Sequence, residues 1–239
     1  SLPEILAVAE YSKQITDSNA NIIGGISTAS LESAIILAQE YEKIGLDGIM
    51  CACPYYIKPT QSDLYNFFKE VADKVNLPIM LYNIPSRAGI DLHNSTILDL
   101  AKIDNIVALK DASGDLTRPL ELSTSNPDFS LLSGDDVTCL GFIAQGGHGC
   151  VSVASNIVPQ ISKQINDYAL VGNFTDALKL HKTLTSLYQV LFIEPNPIPV
   201  KYALSEMGLC HNNLRKPLSP ISEQNAESIR IGMNKLGLL

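Results

Sequence analysis

The chain has 239 residues, 46% of them hydrophobic, and a net charge of −8 at pH 7. A chain of this length and composition can bury a substantial core as one α/β domain. Its 17 Lys and Arg residues are scattered rather than clustered, which argues against nucleic acid as a partner. The sequence has no apolar run long enough to span a membrane and no signal peptide, so we expect a cytoplasmic protein with no membrane partner.

The sequence predicts strands that alternate with helices. Ser1 and Glu4 have the spacing of a capping box and therefore predict a helix start. The predicted strands are residues 22–26, 48–53, 78–82, 106–110, 129–132 and 149–153. Helical spacing of apolar residues predicts helices at 30–43, 62–75 and 94–102. This alternation is typical of a parallel sheet with right-handed crossovers.

The predicted fold class is an α/β barrel of the TIM (β/α)8 type, whose active sites lie at the carboxyl ends of the strands. We find six strands, whereas a closed barrel has eight, so we expect residues 1–155 to provide strands 3 to 8, without the first two. Residues 156–239 are predicted to be the closing helix and a C-terminal helical extension of the same domain, interrupted at 194–199.

Lys110 ends a run of four apolar residues, which predicts a strand buried on both faces. Side chains alternate along a strand, so Lys110 shares the core-facing side with Ile106 and Ala108. Two interpretations remain open. The lysine could extend its amine to water from a strand end. Alternatively, apolar surroundings could lower its pKa, so that the neutral amine attacks a carbonyl and forms a Schiff base.

Four further residues are candidates at or after neighbouring strand ends. Tyr82 ends the preceding strand, and its hydroxyl could either relay a proton or anchor the strand end. Arg87 follows in a predicted loop, where it could hold a carboxylate with two hydrogen bonds or be an ordinary surface arginine. Tyr55 and Tyr56 follow an earlier strand, and adjacent loop tyrosines more often support packing or an oligomer interface.

Metal and cofactor chemistry is not indicated. The five cysteines are odd in number and form no CxxC pair, which favours reduced structural thiols over disulfides or a zinc site. Asp135 and Asp136 lack a histidine or carboxylate partner at metal-ligand spacing, and His148 fits a turn after a helix. The sequence has no phosphate-binding loop, nucleophile elbow or dinucleotide fingerprint. We therefore expect no metal and no cofactor.

Five segments together resemble one enzyme family over the whole chain. They are PYY at 54–56, LYNIPSRAG at 81–89, ALKDASG at 108–114, LSGDD at 132–136 and EPNP at 194–197. In this order they resemble the 4-hydroxy-tetrahydrodipicolinate (dihydrodipicolinate) synthase family, within the N-acetylneuraminate lyase superfamily of class I aldolases. The resemblance implies a lyase that condenses pyruvate with L-aspartate 4-semialdehyde in lysine (diaminopimelate) biosynthesis.

The resemblance also implies roles for individual residues. Lys110 would form the pyruvate imine, Tyr82 would relay protons, and Arg87 would bind the carboxylate of the semialdehyde. Tyr56 would reach into the site of a neighbouring subunit, which implies a homo-oligomer, a dimer or a tetramer. The pyruvate pocket would be lined by Gly134 and Val151.

One segment of the family has no counterpart in this sequence. The family's Gly-Thr-Thr-Gly-Glu-like loop, which binds the pyruvate carboxylate, would precede Ser1, so we expect the chain beginning at Ser1 to be inactive by itself.

Two alternative functions remain. N-acetylneuraminate lyase or a 2-keto-3-deoxy sugar acid aldolase shares the lysine and tyrosine, although the Pro85-Ser86-Arg87 segment argues against both. A non-catalytic barrel remnant that serves binding or assembly is the alternative of another class.

Overall fold

The computed structural model describes residues 1–16 and 20–239, and the chain forms two compact units. The first comprises Ser1–Leu132 with Gln145–Gly147, and the second comprises Ser133–Ala144 with His148–Leu239. Six strands and the helices between them occupy the described part of the chain up to residue 150. The paired strands run parallel, which confirms the predicted α/β class.

The first unit contains five strands and six helices among its described residues. The strands are β1 (Ile23–Ile26), β2 (Gly48–Ala52), β3 (Ile79–Asn83), β4 (Ile106–Asp111) and β5 (Ser130–Ser133, the last residue of which belongs to the second unit). The helices are α1 (Leu2–Ile15), α2 (Leu31–Ile44), α3 (Gln61–Ala72), α4 (Pro85–Ala88), α5 (Asn94–Leu100) and α6 (Arg118–Ser125). β1 pairs with β2, β2 with β3 and β3 with β4, so each strand lies beside the next one along the chain.

Local sequence signals set the helix starts. At α1, the backbone nitrogen of Ser1 donates to the Glu4 carboxylate at 2.9 Å, and the Ser1 side chain accepts from the Glu4 N–H, which confirms the capping box. The Ser30 hydroxyl accepts from the Ser33 amide at the start of α2, and this helix ends at Gly45, whose φ of 80° is left-handed. These capping features provide hydrogen-bond partners for backbone groups that a helix end would otherwise leave unpaired.

The glycines of β1 allow α2 to approach the sheet closely. A Cβ at Gly24 would lie 2.6 Å from the ring of Tyr41, which is far closer than real Cβ contacts. The Tyr41 hydroxyl donates to the Gly25 carbonyl at 3.2 Å. A buried aromatic ring therefore takes the space of the missing side chain and secures α2 against β1.

The prediction that β4 is buried on both faces is wrong at one residue. Val107 is 41% exposed, whereas Ala108 and Leu109 are buried. The register passes from Ile79 opposite Ile106 to Met80 opposite Ala108, so Val107 is an extra residue. Such a bulge is left out of the ladder and bends the strand locally. Beyond it the alternation resumes and directs Lys110 to the same side as Ala108.

The second unit is mainly helical. It contains the short strand β6 (Gly149–Cys150), a 3-10 turn (Ala154–Asn156) and helices α7 (Cys139–Ala144), α8 (Pro159–Leu170), α9 (Phe174–Thr183), α10 (Thr185–Leu191), α11 (Ile198–Glu206) and α12 (Glu223–Asn234). Its larger core cluster includes Leu184, Leu187, Leu191, Ala203, Ile229 and Met233. Helices follow one another after residue 156 with an interruption before Ile198, as predicted.

β6 is shorter than the predicted strand at 149–153. The backbone N–H groups of Val153 and Ala154 donate to the Asp136 carboxylate at 2.9 and 3.0 Å, and the Ser152 hydroxyl donates to it as well. A carboxylate that collects these donors replaces the strand partners that the segment would need. The chain consequently turns into the 3-10 helix instead of continuing as a strand.

Among the residues that the structure describes, no helix combines the length and the apolar character needed to cross a membrane.

Candidate active site

The structure brings Lys110 and Tyr82 together. The two residues are paired in the register of β3 and β4, at the carboxyl ends of both strands. The Lys110 Nζ lies 4.0 Å from the centroid of the Tyr82 ring, within the range of a cation–π contact. Lys110 is partly buried. An amine and a phenol therefore share one end of the sheet, where an amine can meet a carbonyl and a hydroxyl can supply a proton.

Burial controls the acidity of Tyr82. Removal from water raises the pKa of its hydroxyl, and the positive charge of Arg87 offsets only part of this rise. Because the pKa is raised from an ordinary value that is already near 10, the hydroxyl stays protonated at neutral pH. Tyr82 thus begins any reaction as a proton donor.

Arg87 lies in a short helix rather than in the predicted loop. α4 is a single turn in which Pro85 supplies a favourable first position and Gly89, with a φ of 76°, ends the helix. The proline fixes its own φ, so the turn after β3 becomes helical. Arg87 is exposed, yet it is close enough for its charge to act on Tyr82. Sequence reasoning placed it correctly near this strand end but missed its helical setting.

Tyr56 presents its ring outward from the loop after β2. Its side chain is 90% exposed, and its φ of 73° is left-handed, which is rare for an aromatic residue. The Tyr56 N–H donates to the Ala88 carbonyl at 3.2 Å, so the loop is tied to α4. Tyr55 is 44% exposed.

A polar cluster, buried except for the Asp91 side chain, which is 42% exposed, adjoins the lysine and tyrosine. This buried polar cluster is formed by Asn83, Asp91, Asp111 and Arg118. Asn83 follows Tyr82 in sequence and is fully buried, and its amide donates to Asp91 at 2.7 Å and to Asp111 at 2.9 Å. Arg118 is 5% exposed and donates twice to the Asp91 carboxylate, at 2.9 and 3.0 Å. Sequence reasoning missed this cluster, although polar residues directly after two buried strands are a signal for it.

Gly134 and Val151 lie in the second unit at two strand ends. Gly134 follows Ser133, the last residue of β5, and Val151 follows β6. The Val151 N–H donates to the Ser133 carbonyl at 2.8 Å, which holds these two segments side by side. Both residues are partly buried.

The acidic pair of the second unit has structural partners. Asp135 accepts from the amide and hydroxyl of Thr138 at 2.8 and 2.6 Å, and Asp136 collects the donors described above. Over residues 1–16 and 20–239, no three His, Cys, Asp or Glu side chains are grouped in a way that could hold a metal ion. His148 lies in the turn between α7 and β6, as predicted.

The fold and the site define an α/β enzyme whose lysine and tyrosine lie at the carboxyl ends of adjacent parallel strands. The sequence matches the Dihydrodipicolinate synthetase family over residues 1–235, and the chain belongs to that family. The predicted family is thereby confirmed.

Individual relatives support the assignment of the chain to this family. The 4-hydroxy-tetrahydrodipicolinate synthase of Rickettsia bellii strain RML369-C is 44% identical over 96% of this chain and 78% of its own. The enzyme of the same name from Afipia carboxidovorans is 42% identical over 91% of this chain and 74% of its own. These relatives confirm the predicted function as a lyase of this kind, and they do not favour the sugar-acid aldolase or the non-catalytic alternative.

Solved structures extend the similarity to the fold. Dihydrodipicolinate synthase from Aquifex aeolicus superposes with a TM-score of 0.98 at 37% identity, over 100% of this chain and 82% of that one. The chloride-inhibited synthase from Acinetobacter baumannii, solved with pyruvate, has a TM-score of 0.97 at 38% identity, over 100% of this chain and 82% of that one.

Proposed function

We propose that this protein condenses pyruvate with L-aspartate 4-semialdehyde to 4-hydroxy-tetrahydrodipicolinate, a step of lysine (diaminopimelate) biosynthesis, through an imine on Lys110. The observation that carries the proposal is the 4.0 Å approach of the Lys110 Nζ to the Tyr82 ring at two paired strand ends. The pyruvate in the Acinetobacter relative supports the first substrate.

The chemistry follows from an amine beside a proton donor. The deprotonated Lys110 amine attacks C2 of pyruvate, and the carbinolamine loses water when Tyr82 gives a proton to the departing hydroxyl. The deprotonated Tyr82 oxygen takes a proton from C3 of the imine, which gives an enamine, and the enamine forms a carbon–carbon bond to the aldehyde carbon of the semialdehyde. Tyr82 then gives this proton to the aldehyde oxygen, which becomes the hydroxyl of the product. The amine of that substrate then replaces the lysine nitrogen at C2, which releases Lys110 and closes the ring. One water molecule is lost overall, and the protein's own residues suffice without a cofactor.

The remaining site residues take the roles that their positions allow. Arg87 is exposed beside Tyr82 and binds the semialdehyde carboxylate as a bidentate partner. Gly134 and Val151 contribute to the binding of pyruvate. Tyr56, which is 90% exposed, extends toward a second copy of the chain, so the working enzyme is a homo-oligomer, a dimer or a tetramer. It acts in the cytoplasm, where lysine biosynthesis uses its product.

The finer architecture is part of the same proposal. The six strands are strands 3 to 8 of a (β/α)8 barrel, with its reactive groups at the carboxyl ends. The neighbour order of β1 to β4, each strand beside the next, supports this assignment, as does the TM-score of 0.97 to a dihydrodipicolinate synthase of which the chain covers 83%.

Reductive trapping tests the proposed function directly. Borohydride added to the protein with pyruvate should leave one adduct per chain, which peptide mass spectrometry should locate on Lys110. Lys102, which pairs with Asp99 at 2.7 Å on the surface, serves as an internal reference for non-specific reaction. An adduct on another lysine, or no adduct in a protein that also carries the family's carboxylate-binding loop, would refute the proposed mechanism.

Changing Arg87 to Gln should impair use of the semialdehyde and leave use of pyruvate nearly intact. A charge-assisted hydrogen bond contributes about 1.5 to 3 kcal/mol, so kcat/KM for the semialdehyde should fall roughly tenfold to 150-fold. Steady-state kinetics with each substrate varied, together with the rate of imine trapping, would measure the two effects separately. The matched change Arg230→Gln, in the second unit, breaks the pairs to Glu223 and Glu227 and alters the bond to the Tyr202 hydroxyl. It should leave the kinetics with both substrates unchanged. Equal losses for both substrates would show that Arg87 is structural.

A further inference from the structure

We propose that Arg118 is a positioning residue, which holds Lys110 against Tyr82 through the buried polar cluster. The inference rests on the proposed function, because its test measures formation of the imine on Lys110. Arg118 is the first residue of α6, the helix that follows β4 in the chain.

The contacts of Arg118 join three segments of the first unit. One guanidinium nitrogen donates to the Leu92 carbonyl at 2.6 Å, and another makes the two bonds to Asp91. The Nε lies 3.6 Å from the Asp111 carboxylate, at ion-pair distance. The planar guanidinium therefore binds the segment at 91–92 and the end of β4 at the same time.

Asn83 completes the connection to β3. Its side-chain NH2 group donates to the carboxylates of both Asp91 and Asp111, and its side-chain oxygen accepts from the Leu92 N–H at 3.0 Å. Asn83 and Asp111 are paired in the register directly after Tyr82 and Lys110. The two reactive residues are thus each one peptide unit away from a side chain that the cluster fixes.

The charged, forked guanidinium makes Arg118 the critical member of the cluster, because one group reaches both carboxylates. The Asp111 side chain is 1% exposed, and Asn83 brings it close to the Asp91 carboxylate. Without the guanidinium, a buried carboxylate would lose its positive partner, which is strongly unfavourable. The end of β4 would then move to relieve the repulsion, and Lys110 would move with it. Displacements of about 1 Å at reacting groups can lower a rate by about 100-fold.

Arg118→Lys is the most informative variant, because it keeps the positive charge and removes the planar set of N–H donors of the guanidinium. We expect the single-turnover rate constant of imine formation at saturating pyruvate to fall about 10- to 100-fold. The final fraction of chains trapped by borohydride should stay at the wild-type level. The same substitution at Arg230, which pairs with surface carboxylates, is the matched control and should change neither quantity.

The two readouts separate positioning from folding. A merely structural role would lower the trapped fraction while the remaining chains reacted at the wild-type rate, and this result would overturn the proposal. A wild-type rate with a wild-type fraction would also overturn it. If Arg118→Lys does not fold, the isosteric Asp111→Asn decides in the same assay, in which slowed trapping supports the inference and unchanged trapping refutes it. Failure of a protein with Arg118 unaltered and the family's carboxylate-binding loop present to form any adduct would instead refute the proposed function.

Discussion

Lys110→Arg should abolish the pyruvate adduct and lower kcat/KM for condensation by roughly a million-fold, the scale of removing a covalent nucleophile. An arginine stays protonated at all accessible pH values and cannot attack a carbonyl. It nevertheless keeps a cation over the Tyr82 ring, where the Lys110 Nζ lies 4.0 Å from the centroid. Coupled turnover assays and borohydride trapping would measure the two losses.

The matched control for this change is Lys102→Arg. Lys102 pairs with Asp99 on the surface, and its side chain is 75% exposed, so activity and adduct yield should stay at wild-type levels. Thermal unfolding of both variants should resemble that of the unaltered protein. A Lys110→Arg variant with more than about a hundredth of normal turnover would contradict imine catalysis at this residue, given the size of the expected loss.

Tyr82→Phe should slow turnover by about 100- to 10,000-fold, the usual contribution of a positioned proton donor. The aromatic ring stays beside Lys110, so the decrease in rate reports removal of the hydroxyl and not a change in packing. Rapid-quench trapping should show that imine formation is the slowed step, because the carbinolamine must lose its hydroxyl. Tyr168→Phe alters a tyrosine that is 39% exposed and should leave the rate unchanged.

The pH dependence gives this second prediction an independent check. Burial raises the pKa of Tyr82, and the protonated hydroxyl is the active form. The rate contribution of Tyr82 should therefore persist through the ordinary tyrosine range near pH 10 and decline only as the pH rises through the raised pKa. The Phe variant should lack this alkaline decline. A decline that begins well below pH 10 would contradict the assigned role.

Local patterns sufficed to predict most of the fold. Runs of apolar residues located every strand, and the helical spacing of apolar residues located α2, α3 and α5, whereas α4, α6 and α7 were not assigned from the sequence. The proximity of Lys110 and Tyr82 was also predictable, because both end strands that are consecutive in the chain and consecutive strands of this fold are neighbours. These features depend on short stretches of sequence and on general rules of chain connection.

Features that depend on distant residues escaped prediction. The bulge at Val107 arises only when β4 meets β3, since nothing in the run of apolar residues marks the extra residue. The bonds between Arg118 and Asp91 join positions 27 residues apart, and those between Asn83 and Asp111 join positions 28 residues apart. Single residues of these types are usually exposed, so composition alone assigns them to the surface.

The left-handed backbone of the loop after β2 bears on the entropy of catalysis. Tyr56 and Lys58 have φ values of 73° and 47°, a conformation that costs a residue with a side chain about 1 kcal/mol or more. A hydrogen bond within the chain holds this conformation, from the Tyr56 N–H to the carbonyl of Ala88, the residue after Arg87. The ordering of this segment is therefore completed when the chain folds. Substrate that arrives at Arg87 does not have to immobilise the adjoining loop, and this part of its binding free energy remains for stabilising the transition state.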